Sequence, residues 1–136
     1  MVTTFVIADD NAAVRSAVAL MLTQRLGLQI AGEAADLPAL TSLCANLHPD
    51  LVLLDWELPG FDHPRVNLAS LRAACPGVRV VVLSTLSESC LAAQAEGADA
   101  VILKSEAPAA VTAILARLAG CCPDNPPFDI EWIDRQ

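Results

Sequence analysis

Two hydrophobic periodicities alternate along the chain. Residues 3–8 are apolar and β-branched and stop at Asp9-Asp10, which predicts a first strand. From Asp10 or Asn11, each a good N-cap, the positions Val14, Val18, Met21, Leu22 and Leu26 follow helical spacing, and Gly27 stands where a helix end favours glycine. Residues 28–33 predict a second short strand. Asp36 caps a second helix through Leu47, with Leu37, Leu40, Leu43 and Leu47 as its apolar stripe, and Pro49 stops it. Residues 51–54 form an unbroken apolar run of the kind found in strands buried on both faces, and the run ends at Asp55. Residues 56–64 carry two prolines and a glycine and predict a loop. A third helix over about 65–74, a strong strand over 78–83, a weaker helix over 87–96 closed by Gly97, a strand over 100–103 and a helix over 106–118 complete the pattern.

Five βα units in strict alternation predict an α/β fold, a doubly wound five-stranded parallel sheet with helices on both faces. Of the doubly wound strand orders, the flavodoxin-like 2-1-3-4-5 suits five strands best. Ligands of such sheets bind outside the carboxyl ends of the strands, near the switch in strand order.

Composition narrows the class. At 136 residues, 54% of them hydrophobic, the chain is sized for one domain with a real core and is far from the disordered class. No apolar run approaches a membrane span, and no basic segment precedes the first apolar run as in a signal peptide, so a cytoplasmic protein is expected. A net charge of −8 argues against nucleic acid as a direct partner, because phosphate binding needs a basic face. The five cysteines, Cys44, Cys75, Cys90, Cys121 and Cys122, contain no CxxC pair and read as buried or half-buried free thiols.

The chemistry lies at the predicted strand ends. Strand 1 delivers Asp9 and Asp10, strand 3 Asp55, strand 4 Ser84 and Thr85, and strand 5 Lys104. In the order 2-1-3-4-5 these four strands are contiguous, so the side chains converge on one crevice. Three crowded carboxylates repel one another, and a cation removes that cost. Mg²⁺ suits them, because it takes oxygen ligands and favours sites completed by phosphate. A carboxylate is also a competent nucleophile toward a phosphoryl group, and Asp55 is placed for it. Transfer then asks for positioning and for neutralised charge on the phosphoryl oxygens, which Mg²⁺, the Lys104 ammonium and the Ser84 hydroxyl supply. Each residue alone has an ordinary explanation as a helix cap, turn residue or solvated charge. Jointly, an acidic pair, an acid, a hydroxyl and a lysine at four adjacent strand ends are hard to assign to chance.

In the segments FVIADDN, LVLLDWELPG, VVVLST and GADAVILKS the sequence resembles the receiver domain of two-component response regulators, over residues 3 to 118. The resemblance implies that Asp55 is the phosphoacceptor, and that Asp9 and Asp10 hold Mg²⁺ with Asp55 and the main-chain carbonyl of Glu57. It also implies that Ser84 is the switch hydroxyl, that Lys104 pairs with the phosphate, and that a histidine kinase, a phosphotransfer protein or a small acyl phosphate is the donor. Three positions depart from the common pattern. Val101 replaces the aromatic switch residue three places before the lysine. Ser105 replaces the proline after it, as in receivers attached to helix-turn-helix outputs, and a non-proline cis bond there costs about 3 kcal/mol. His63 stands where receivers usually have glycine after the Pro-x-x-Asp loop, and His tolerates left-handed backbone better than most residues.

The expected division is a receiver domain over 1–119 and a tail or linker over 120–136, too short for a DNA-binding module. The alternating segment 128–132 suits either addition to a sheet edge or packing on the domain's own surface. Excess apolar residues in the predicted fourth and fifth helices suggest a homodimer or a docked partner through helix 4, strand 5 and helix 5. The expected function is a signalling switch, not an enzyme. The alternative is a phosphorylation-independent receiver-like interaction module. A phosphatase of the haloacid-dehalogenase type fits poorly, because its nucleophile normally follows the first strand with a second acid two residues on, whereas Asp55 follows the third and Glu57 is a Glu.

Overall fold

Strand β1 (Thr4–Ala8) enters helix α1 (Ala12–Leu26), and the alternation continues through β2 (Gln29–Ala34), α2 (Leu37–Leu47), β3 (Leu51–Asp55), α3 (Pro64–Ala74), β4 (Arg79–Ser84) and β5 (Ala100–Leu103). These elements belong to a computed structural model that describes residues 3–61, 63–84 and 97–103, together with Ala113 and Arg117. The predicted helix over 87–96, the tail over 120–136, and Thr85, Lys104, Ser105, Cys90, Cys121 and Cys122 lie outside the described residues. So does most of the predicted helix over 106–118, of which Ala113 and Arg117 are helical.

The five strands form one parallel sheet in the order β2-β1-β3-β4-β5, as the sequence predicts. Alternate strand residues point to opposite faces, and each face has its own apolar cluster. Val6, Ala8, Val52, Leu54, Val80 and Val82 pack with Leu40 and Cys44 of α2 and Leu68 and Leu71 of α3. Phe5, Ile7, Leu51, Leu53, Val81 and Ile102 pack with Leu22 of α1, with Val18 and Leu26 beside it. Every residue of β3 is buried, which explains its unbroken apolar run.

The helix boundaries follow local chemistry. Oδ1 of Asn11 accepts from the N–H groups of Ala13 (2.9 Å) and Val14 (3.2 Å), satisfying donors that the first turn leaves open. Gly27 ends α1 at φ 66°, a left-handed conformation that costs glycine little. Oδ1 of Asp36 caps α2 by accepting from Ala39 at 2.9 Å.

Several details differ from expectation. β2 is shifted one residue later than 28–33. β3 and β4 run one residue further than predicted, so Asp55 and Ser84 are the last residues of their strands and not the first after them. One neighbour carries each ladder that far: Asp55 pairs with Leu83 of β4, and Ser84 with Leu103 of β5. α2 ends at Leu47 as expected, with His48 as its C-cap in a left-handed turn at φ 47° directly before Pro49. His63 does not use the left-handed region: it precedes α3 at φ −127°. Among the described residues of that loop, Gly60 has a positive φ, at 92°.

Cys44 and Cys75 are buried free thiols in the core between α2, α3 and the sheet. Burial, with a smaller contribution from the neighbouring Cys75, pushes the Cys44 thiol up to about 11. Burial, then the charge of Asp50, also raises the Cys75 thiol.

Candidate functional site

The carboxyl ends of β1 and β3 bring three acids together. One carboxylate oxygen from each of Asp9, Asp10 and Asp55 lies within 4.8 Å of the others. Asp9 is fully buried and Asp55 is 4% exposed, whereas Asp10 faces solvent. Two of the three acids are therefore buried at the sheet end and the third is exposed.

Asp9 is held from several sides. Its N–H donates to the carbonyl of Ala34 at 3.0 Å, so the end of β1 stays laced to the end of β2. Its Oδ1 accepts from the N–H of Asn11 at 2.9 Å, the turn that starts α1. Both acids thus precede a helix N-terminus, where the helix dipole favours negative charge. The carbonyl of Asp9 accepts from Nη1 of Arg15 at 2.6 Å, and Nε of Arg15 pairs with Oε1 of Glu33 at 3.2 Å. No motif or periodicity in the sequence marks Arg15 or Glu33, which meet across 18 residues.

Asp55 closes β3 in register with Leu83 of β4. Its Oδ1 accepts from the N–H of Glu57 at 3.2 Å, and its carbonyl accepts from the N–H of Leu58 at 3.0 Å, folding the chain into a tight turn. Buried Leu58 and Phe61 anchor that loop in the core. The Trp56 and Phe61 rings meet edge to face, with centroids 5.4 Å apart and planes at 62°. Leu37 at the start of α2 donates to the carbonyl of Pro59 at 2.9 Å, tying the loop to its neighbour. Glu57 is exposed.

Ser84 is the final residue of β4, one position past the partner of Asp55, and is 2% exposed. Val101 of β5 lies opposite Val82 and is half-buried against the core between α2, α3 and the sheet. Among the described residues the structure therefore brings Asp9, Asp10 and Asp55 together and sets Ser84 at the end of the adjoining strand. Lys104, immediately after β5, lies outside the described residues.

The donor set fits a small hard cation. In octahedral Mg²⁺ coordination at about 2.1 Å, ligand oxygens are separated by no more than about 4.2 Å. The three oxygens lie within 4.8 Å of one another, so side-chain rotation or a bridging water would bring them within that reach, with waters and a phosphate filling the remaining positions. Oxygen-only ligands, a buried pair and one open side suit an ion that keeps waters and shares a phosphate.

Comparison with known proteins agrees with this geometry. The family model for the response regulator receiver domain matches residues 5–116. A protein-glutamate methylesterase/protein-glutamine glutaminase of Myxococcus xanthus is 38% identical over 116 residues, covering 84% of this chain and 33% of its own length. This chain thus spans about a third of that relative. The crystal structure of a LuxR-family two-component response regulator from an Aurantimonas species is 27% identical with a TM-score of 0.73, covering 99% of this chain and 94% of that one. A response regulator structure from Burkholderia pseudomallei, with a phosphorylated aspartic acid, calcium ion and citrate, is 25% identical with a TM-score of 0.69, covering 85% of this chain and 66% of that one.

Proposed function

Because this chain belongs to the response regulator receiver family of two-component signal transduction, we propose that it is a phosphorylation switch in which Asp55 accepts a phosphoryl group in a Mg²⁺-dependent reaction. The observation that carries this reading is the convergence of Asp9, Asp10 and Asp55 at the carboxyl ends of adjacent strands β1 and β3. The phosphorylated aspartate of the similar Burkholderia protein supports it.

Asp9, Asp10, Asp55 and the main-chain carbonyl of Glu57 would hold Mg²⁺, which supplies neutralisation of charge on the phosphoryl oxygens. A carboxylate oxygen of Asp55 attacks phosphorus. The new O–P bond forms as the P–N bond of a phosphohistidine donor breaks, the bonding pair leaves on the imidazole nitrogen, and that nitrogen takes a proton from solvent. That donor is a histidine kinase or a phosphotransfer protein. The Ser84 hydroxyl donates to the transferred group and Lys104 pairs with it. Burial of Asp9 and Asp55 keeps both acids in one geometry, so little reorganisation accompanies transfer.

The output is a changed protein-binding surface, not turnover of a substrate. The Myxococcus relative is named for enzymatic activities, and this chain is proposed to provide only switching chemistry. Residues 1–119 form the receiver in this reading and 120–136 a tail or linker. A cytoplasmic location accords with the family, and no helix among the described residues is long and apolar enough to cross a membrane. A homodimer through the predicted fourth helix, β5 and the predicted fifth helix belongs to the same proposal. Sedimentation at high concentration, with and without a phosphoryl mimic, tests it, and a monomer in both states removes it.

Thermal unfolding with Mg²⁺ and beryllofluoride tests the switch itself. Binding to the native state raises the melting temperature by mass action, so wild type should shift upward and Asp55→Asn should not. Equal behaviour of the two proteins would leave a phosphorylation-independent interaction module.

A further inference from the structure

The main-chain carbonyl of Asp9 lies between the two acids at the β1 end of the site, and it is the acceptor of the 2.6 Å bond from Nη1 of Arg15. The same guanidinium reaches Oε1 of Glu33 through Nε, at 3.2 Å. Glu33 stands opposite Ile7 in the β1–β2 register, and the next residue, Ala34, accepts the N–H of Asp9. Both main-chain groups of Asp9 are therefore tied to β2, one directly and one through Arg15. The Arg15 side chain is 18% exposed and Glu33 42% exposed, so the pair is half-buried beside the acids.

We propose that Arg15 is a positioning residue for the metal site, acting with Glu33 to fix the peptide between Asp9 and Asp10. This inference rests on the metal-binding reading given above. The peptide plane sets the direction in which Asp10 leaves the main chain, and Asp10 is the exposed member of the three acids. An exposed aspartate on an unclamped peptide samples many directions, and each lost orientation is paid again when an ion binds. The planar guanidinium suits this task, because its fork presents two donors at a fixed angle to a carbonyl and a carboxylate. Glu33 has a second effect. By engaging Nε it holds the guanidinium on the carbonyl and away from the carboxylates, where a cationic side chain would compete with the ion.

Positioning and simple electrostatics predict opposite signs. Arg15 carries positive charge close to a cation site, so removing only its charge should tighten cation binding. Removing the clamp should weaken it. Outer partners that orient ligands typically contribute 10–100-fold to metal affinity; for a clamp acting through the main chain, the low end of that range is expected.

The test is a titration with Mn²⁺, read by loss of the free-ion paramagnetic resonance signal and by Mg²⁺ competition, counting only the site abolished in Asp55→Asn. Arg15→Met should bind about tenfold more weakly than wild type. Arg15→Lys, which keeps the charge but donates from a single nitrogen, should fall between them. Unfolding curves without metal show whether each variant is folded at the titration temperature, and Arg15→Lys carries the test if Arg15→Met is not. Affinity equal to or tighter than wild type in the folded variants would overturn the proposal, whatever their melting temperatures. Wild type that binds no ion at this site would overturn the metal reading and this proposal with it, a failure recognisable because it needs no Arg15 variant.

Discussion

The main-chain N–H of Trp56 donates to the carbonyl of Leu83 at 2.9 Å, so β3 and β4 stay joined one residue beyond Asp55. Asp55 therefore cannot shift without β4, and Ser84 follows Leu83 directly. In the phosphorylation reading Ser84 contributes a hydrogen bond to a charged group, worth about 1.5–3 kcal/mol. Ser84→Ala should fold normally, bind Mg²⁺ within about twofold of wild type, and accept phosphate from an acyl phosphate about tenfold or more slowly. A time course of intact mass measures this, and an unchanged rate would remove Ser84 from the mechanism.

Much of this architecture is legible in the sequence because near-neighbour chemistry dictates it. Asn11 and Gly27 bracket α1, Asp36 opens α2, and the apolar run of β3 announces a strand buried on both faces. The acids converge because parallel strands all end at the same edge of the sheet. The exact strand ends are less legible, since a ladder is extended by partners distant in sequence. That is why Asp55 and Ser84 are strand residues. The ties from Arg15 to Glu33 and from Arg72 to Asp99 span 18 and 27 residues, and no periodicity encodes them. The αL turn at His48 had only a generic signal in the helix stop before Pro49, whereas His63, expected to tolerate a left-handed backbone, has φ −127°.

Gly60 is strained for any other residue. Its φ is 92°, and a Cβ built there would sit 3.1 Å from Cβ of Leu37. Gly60→Ala should destabilise the protein by about 1–3 kcal/mol through backbone strain and crowding of the loop against α2. Denaturant unfolding measures the loss. A change below a few tenths of a kcal/mol would mean that the loop relaxes freely.

Asp99 braces the entry to β5. Its Oδ2 accepts from the N–H of Val80 at 2.7 Å and from Nη2 of Arg72 at 3.1 Å. The ion pair is about a third exposed and contributes little by itself. The N–H of fully buried Val80 is the costlier loss. Asp99→Ala should therefore destabilise by about 1–3 kcal/mol, and Asp99→Asn, which keeps an acceptor, should recover most of that. Equal unfolding midpoints for the two variants would contradict this account.

The Cys44 thiol gives stability a defined alkaline dependence. Its folded value of about 11 lies above the ordinary 9.0, so the folded state holds the proton more tightly. Below pH 9 both states are protonated and the contribution is complete. As pH rises from 9 toward 11 the unfolded chain ionises first and stability falls, by up to about 3 kcal/mol. The raised Cys75 thiol acts in the same direction. Cys44→Ala should show a shallower decline over that window, whatever its absolute stability, and an identical slope would contradict the assignment.

Intact-protein mass after incubation with a small acyl phosphate, with and without Mg²⁺, tests the central claim most directly. Wild type should gain the mass of one phosphoryl group only when Mg²⁺ is present, and the adduct should be released by hydroxylamine as an acyl phosphate is. Asp55→Asn should gain nothing. No adduct on wild type, or the same adduct on Asp55→Asn, would contradict Asp55 as the phosphoacceptor.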